Sequence, residues 1–169
     1  MASGRRPNVR VTTVAAVLGV VPALYEAVLR VVLRVALRRL KAGDPELVLR
    51  LMSGDVRFRF PGHSSWAADV RGRDEVARWL RRFVDIGMRL DVDDIIVSGP
   101  PWANRVCVRF TDYCNDETGK LIYLNRGTIV ARVRWGRVVR YEIFVDTEKV
   151  TDLDNYLAAH TPISQPSQR

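Results

Sequence analysis

From residue 90 onward the sequence alternates. Stretches 90–98, 106–113, 121–135 and 138–146 carry apolar residues at every second position, separated by the turn-forming segments Gly-Pro-Pro, Asn-Asp-Glu-Thr-Gly and Trp-Gly. A period of two belongs to strands with one dry face and one wet face. Connections this short join antiparallel neighbours, because a parallel crossover needs a dozen or more residues. The second half of the chain therefore reads as a run of strands, the last three of them antiparallel neighbours.

The first half has a different period. Pro22 suits the first turn of a long helix, in which Glu26, Arg30, Arg34 and Arg38 recur every four residues and form a narrow wet stripe. Leu24, Ala27, Val28, Val31, Val35 and Leu37 fill the rest. Gly43 stops this helix, and Asp44-Pro45 restart a short one with Leu47, Val48, Leu51 and Met52 inward. Val56, Phe58 and Phe60 then alternate with Asp55, Arg57 and Arg59 in a half-buried strand that ends at Pro61-Gly62. Asp74 and Glu75 open a further helix with the favourable sign, Val76, Trp79, Leu80, Phe83 and Val84 give it an apolar stripe, and Gly87 closes it. Thr147 is the expected cap of a terminal helix with Val150, Leu153 and Leu157 inward. Helices first and strands afterwards make an α+β fold. The organisation is one domain over 22–160, a hydrophobic extension over 1–21 and a disordered tail over 161–169.

Composition narrows the function classes. The net charge of +8 rests on 27 Lys and Arg, of which only Lys41, Lys120 and Lys149 are lysines. The arginines are scattered along helix and strand edges, with no basic block and no aromatic-rich RNA-binding signature, so no nucleic-acid partner is expected. Cys107 and Cys114 form no CxxC, and only His63 and His160 could join them, so neither a metal centre nor a cofactor is expected. A reduced, cytoplasmic chain follows. The N-terminus adds a qualification: a basic start precedes the uncharged interval 11–25, which is shorter than the about 20 residues of a membrane span. Residues 11–21 resemble the core of a signal peptide, yet no small-x-small cleavage pattern follows. The expectation is a segment packed on the domain or touching a partner or a membrane surface.

Strand parity assigns faces. In 121–135 the odd set (Leu121, Tyr123, Asn125, Gly127, Ile129, Ala131, Val133, Trp135) faces in, and the even set, with Arg126, Arg132 and Arg134, faces out. Asn125 lies beside Gly127, a position with room above it, and is either a core amide or a ligand contact. Val106, Val108, Phe110 and Asp112 share a face; a carboxylate ending an apolar row has a raised pKa and can carry protons near neutral pH. Asp112 could equally cap the turn or pair with an arginine. Val139, Tyr141, Ile143 and Val145 form the apolar set of the last strand and turn Glu142 away, unless the register shifts by one. Trp102 in Gly-Pro-Pro-Trp is expected to anchor its loop to the core.

The segments AGDPELVLRLMSGDVRFRFPG, RGRDEVARWLRRF and YEIFVDTEKV, in this order of elements, resemble the SnoaL-like family of the nuclear transport factor 2-like superfamily. FPGHSSWAADVRG, GPPW and WGRVVRYE resemble an actinobacterial branch of it with undefined activity. The resemblance implies a cone-shaped curved sheet wrapped around the N-terminal helices, a deep apolar pocket, and a homodimer through the outer sheet face. It implies a pocket lined by Phe60, Trp66, Trp79, Phe110, Tyr123, Asn125 and Tyr141. Relatives that open epoxides use an Arg-x-Asp pair where this chain has Phe110-Thr111-Asp112, so the arginine is missing. Steroid isomerases place an aspartate base after the first strand, where this chain has His63. The candidate acid/base residues are His63 and Asp112; for His63 the competing role is a loop histidine bonded to backbone, with Trp66 as a plug. The implied function is binding of a small apolar molecule with cofactor-free isomerase or cyclase chemistry. The alternative is a non-catalytic dimerisation or interaction module.

Overall fold

The computed structural model describes residues 9–160, with side chains from Pro22 onward. Helix α1 (Val9–Lys41) leads through α2 (Glu46–Leu51) to β1 (Met52–Phe60), β2 (Ala68–Arg71) and α3 (Arg73–Asp85). Then come β3 (Arg89–Ser98), β4 (Asn104–Asn115), β5 (Leu121–Arg134), β6 (Arg137–Val145) and α4 (Thr147–His160). The six strands form one sheet in the order β2-β1-β6-β5-β4-β3. All neighbours are antiparallel except β1 and β6, which the intervening chain allows to run parallel. The α+β cone expected from the sequence is the observed fold, and β3 through β6 form the expected meander.

The helix ends are built as glycine predicts. Gly43 (φ 91°) is followed by Asp44 N–H bonding Arg39 O at 2.9 Å, and Gly87 (φ 76°) by Met88 N–H bonding Phe83 O at 3.2 Å. Both are six-to-one closures that need a left-handed residue. Pro22, in contrast, lies inside α1 instead of opening it. It forgoes one backbone bond, which a 33-residue helix held by the turns on either side tolerates. The cap of α4 is Asp146, whose carboxylate accepts from Glu148 N–H at 3.1 Å, while Thr147 is the first helical residue. Packing in the 1–21 extension and the tail 161–169 lie outside the described side chains.

The inner face of the sheet carries the core. Val56, Phe58 and Phe60 of β1, Ile129, Ala131 and Val133 of β5, and Tyr141 and Ile143 of β6 are buried, while Arg57, Arg59, Arg132 and Arg134 are exposed. The parity reading holds along the strand bodies and fails at the ends: Leu121 is exposed, and Trp135 belongs to the β5–β6 turn. Trp135 (φ 50°) and Gly136 (φ 75°) are both left-handed, the geometry of a two-residue hairpin turn that follows the sheet twist. In β3 the buried set switches from Leu90 to Ile95 and Val97 because a bulge between Val92 and Asp94 inserts one residue. The one strand without a sequence signal is β2, four residues long at the sheet edge.

Candidate functional site

Inside the cone, α3 lays Trp79 and Phe83 against the aromatic residues of β1 and β6. Phe58 meets Trp79 at 5.0 Å and Tyr141 at 5.3 Å, and Trp79 meets Phe60 at 5.4 Å, Trp66 at 5.6 Å and Phe83 at 6.0 Å. Edge-on and stacked contacts at these distances fix the rings beyond simple burial. Two small voids of about 20 Å³ each remain between these rings, sharing Phe60, Trp79, Phe83 and Asp112 as walls. One continues to Phe110 and Tyr141, the other to Trp66 and Tyr123. Each is about the size of a single water.

Asp112 is the only carboxylate among the buried described residues. It stands opposite Asn125 in the β4–β5 register, and the two share one hydrogen-bonded chain. Asn125 Nδ2 donates to the Tyr123 hydroxyl at 3.0 Å, and that hydroxyl donates to Asp112 Oδ2 at 3.2 Å. Nδ2 also donates to Asp146 O at 2.9 Å, while Oδ1 of Asn125 accepts from Arg126 N–H at 2.8 Å. The amide is thus spent within the protein and orients Tyr123; it lines neither void. Oδ1 of Asp112 has no partner. Burial pushes the Asp112 carboxyl up to about 6, against the smaller opposing pull of the Tyr123 hydrogen bond. Burial, with the neighbouring Asp112 charge, also raises the Tyr123 phenol, which stays a neutral donor. Asp112 therefore changes its charge near neutral pH against an apolar wall, and neither a turn nor an arginine holds it.

The structure does not bring His63 to this group. It is exposed on loop 61–67 and lines neither void. The loop turns at Pro61-Gly62, directs Trp66 into the core and leaves the histidine outside. Gly62 (φ 101°) passes so close to α4 that an added Cβ would lie 3.1 Å from Thr147 Cγ2. Trp66 is buried, and its indole Nε1 has no partner. Two of the buried unpaired polar atoms, the Trp66 donor and the Asp112 acceptor, thus belong to residues walling the same void.

Sequence reasoning missed the groups that hold this loop. Asp154 of α4 accepts from Ser65 N–H at 2.6 Å and from Ser65 Oγ at 2.8 Å. Arg82 of α3 donates to Ser65 O at 2.6 Å and to Ser65 Oγ, and lies 3.9 Å over the Trp66 ring. Partners 89 residues apart leave no local signal. Replacing Asp154 by Ala is expected to lower global stability by no more than about 1–2 kcal/mol, because its carboxylate, 19% exposed, accepts two bonds from Ser65 but that partner lies at the surface. Amide exchange of residues 63–67 should nevertheless accelerate. Unchanged exchange would show that the latch restrains nothing.

Glu142 points to the outer face and pairs with Arg140 at 3.0 Å, so the register places Tyr141 and Ile143 inside. The room expected above Gly127 is filled: an added Cβ would lie 2.4 Å from Phe110 Cζ and 2.6 Å from Val145 Cγ1. Trp135, expected in the inward set, and Trp102, expected to anchor a loop to the core, are both exposed. No cluster of three or more metal-ligating side chains occurs among the described residues. No helix among them is long and apolar enough to cross a membrane.

Among solved structures, the chain is similar to an NTF2-like protein of unknown function from Burkholderia pseudomallei. The two share 26% identity over 73% of this chain and 94% of that one, with a TM-score of 0.62. Bal32a, from a soil-derived mobile gene cassette, shares 18% identity over 76% of this chain and 98% of its own, with a TM-score of 0.65. TerC, co-crystallised with polyporic acid, shares 22% identity over 73% and 95%, with a TM-score of 0.61. No curated protein matches the chain. The SnoaL-like domain matches residues 33–141, from the last third of α1 to β6. That match spans the cone, its aromatic interior and the strand that carries Asp112, and the chain belongs to the SnoaL-like domain family.

Proposed function

We propose that this protein binds a small, largely apolar organic molecule and that Asp112 exchanges a proton with it, in cofactor-free isomerisation or cyclisation. One observation carries the reading: Asp112 is buried against aromatic walls, held at Oδ2 by Tyr123, and has its other oxygen free. A carboxyl of this kind, titrating near neutral pH, suits general acid/base work. TerC supplies a fold-level parallel, since it was crystallised with polyporic acid. The two voids are far smaller than the several hundred Å³ of an ordinary ligand site, so a ligand must displace side chains. The Trp66 loop borders one void and is held at Ser65 by Asp154 and Arg82 and at Trp66 O by the Trp79 indole N–H at 3.0 Å, so a ligand entering there displaces the Trp66 ring.

The same small voids favour a second reading, a non-catalytic interaction module with a filled interior. A homodimer through the outer sheet face remains part of both. A cytoplasmic setting suits the two free thiols, Cys107 and Cys114. Native mass spectrometry of the purified protein tests the choice. The first reading expects a bound organic molecule whose affinity changes through pH 6 in the wild type and loses that dependence in Asp112→Asn. A wild type without a bound species, and without a melting shift from any of a panel of apolar hydroxylated compounds, would favour the second.

A further inference from the structure

One end of the domain carries a surface that the interior does not use. Trp102 of the β3–β4 turn and Trp135 of the β5–β6 turn are 57% and 70% exposed, with ring centroids 6.0 Å apart. Both turns are tied to each other and to α1. Trp135 N–H donates to Pro101 O at 2.7 Å, Gly136 N–H to the Tyr25 hydroxyl at 3.0 Å, and Gly99 N–H to Glu26 Oε1 at 3.2 Å. Next to Tyr25 runs an apolar stripe on the side of α1 turned away from the sheet. Leu24, Val28, Val31 and Val35 are 63%, 54%, 59% and 41% exposed. Their spacing of four, three and four keeps them in one line.

The stripe is flanked by arginines beside Val35: Arg34 and Arg38 are exposed and have no acidic partner among the described residues, and Arg39 lies 3.8 Å from Asp44. At the tryptophan end Glu26 is engaged by Gly99 N–H. Arg105, Arg132 and Arg134 are exposed on the outer face of the sheet, the side away from α1.

We infer that the Trp102–Trp135 end and the outer stripe of α1 form a docking surface for an anionic lipid bilayer. Paired exposed tryptophans beside an apolar helical stripe are the groups that sit at a membrane–water boundary. Arg34 and Arg38, beside the stripe, meet the phosphates and carboxylates of the headgroups. The helix lies in the interface and does not span it. The line of Leu24, Val28, Val31 and Val35 would also fit a two-stranded coiled coil with a second copy. Its charges oppose that occupant. Continuing the line places Arg38 in the seam, and in a parallel pair Arg34 would face the second copy's Arg39. An anionic surface turns each of these repulsions into an attraction.

The test uses the full chain and two vesicle preparations, phosphatidylcholine alone and phosphatidylcholine with about one-third phosphatidylserine. Co-sedimentation should be at least about tenfold stronger with the anionic vesicles and weaken with salt. The double variant Trp102→Ser, Trp135→Asn should lose about tenfold in binding with an unchanged melting temperature, since both rings are exposed; Asn accepts the left-handed backbone at 135. Arg34→Gln with Arg38→Gln should lose roughly fivefold per arginine. Equal binding to both vesicles, or undiminished binding by the tryptophan variant, would overturn the inference. So would a dimer in sedimentation velocity that Val28→Gln with Val31→Gln dissociates while no vesicle is bound; the surface would then be an interface between copies.

Discussion

Replacing Asp112 by Asn should make the protein more stable at about pH 8 than at about pH 4, relative to wild type, by about 2–2.5 kcal/mol. The sign follows from a folded-state pKa of about 6 standing above the unfolded value of 3.8. Below pH 3.8 the carboxyl is protonated in both states and contributes no pH-dependent term. Between the two values the folded state holds a proton that the unfolded state has released, so wild-type stability falls as pH rises. Above about 6 both states are ionised and the full penalty for a buried charge is present. Asn carries no charge and feels none of this. Its Nδ2 group brings a desolvation cost of its own, about 1–3 kcal/mol if unpaired, but that cost is the same at both pH values. Melting curves of the two proteins across this range give the difference, which corresponds to roughly 5–10 °C for a chain of this size. A constant offset between the two would mean that Asp112 is solvated and has no raised pKa, and would remove it as the acid/base group.

The second large effect lies at Gly127. Its Cα faces the ring of Phe110 so closely that a methyl group would sit 2.4 Å from Cζ and 2.6 Å from Val145 Cγ1. Both neighbours belong to packed strands and cannot retreat freely. Gly127→Ala should therefore destabilise the protein by about 1–3 kcal/mol through overpacking. Phe110→Ala alone should cost about 3–5 kcal/mol, because the ring is buried at 3% exposure and walls one of the voids. The two changes are coupled. With the ring removed, the added methyl is crowded only by Val145 Cγ1, so the double variant should be at least about 1 kcal/mol more stable than the sum of the single changes predicts. Chemical denaturation of the four proteins measures that coupling, and additivity would mean that the ring does not rest on the glycine.

Both results bear on how the interior is shaped. Gly127 is there to let Phe110 lie flat across β5, which narrows the cone beside Asp112 and contributes to the small voids. A larger cavity made by Phe110→Ala is also the simplest way to ask whether an apolar ligand binds more readily when the room exists in advance.

What the sequence determined by itself was everything set by neighbours a few residues apart. The period of two placed Phe58, Tyr123, Ile129, Val133 and Tyr141 inside and Arg132 and Arg134 outside, because a strand whose face is buried has one tolerable register. Gly43 and Gly87 marked helix ends because only a left-handed residue closes them as observed. The same alternation put Asp112 at the end of an apolar row, and its burial follows. Tertiary structure decided the rest, since it rests on groups distant in sequence or on the path of a turn. Asp112 is held by Tyr123 and Asn125 from the next strand, with no arginine near enough to pair. Trp66 turns inward while His63, three residues earlier, stays in water, because the loop is fastened by Asp154 and Arg82. Gly127 has no room above it because a ring from β4 occupies that space. Val28, Val31 and Val35 are apolar yet exposed, since α1 has one side to give to the sheet and they are on the other. Periodicity separates the faces of an element, but only the packed molecule determines which face is covered.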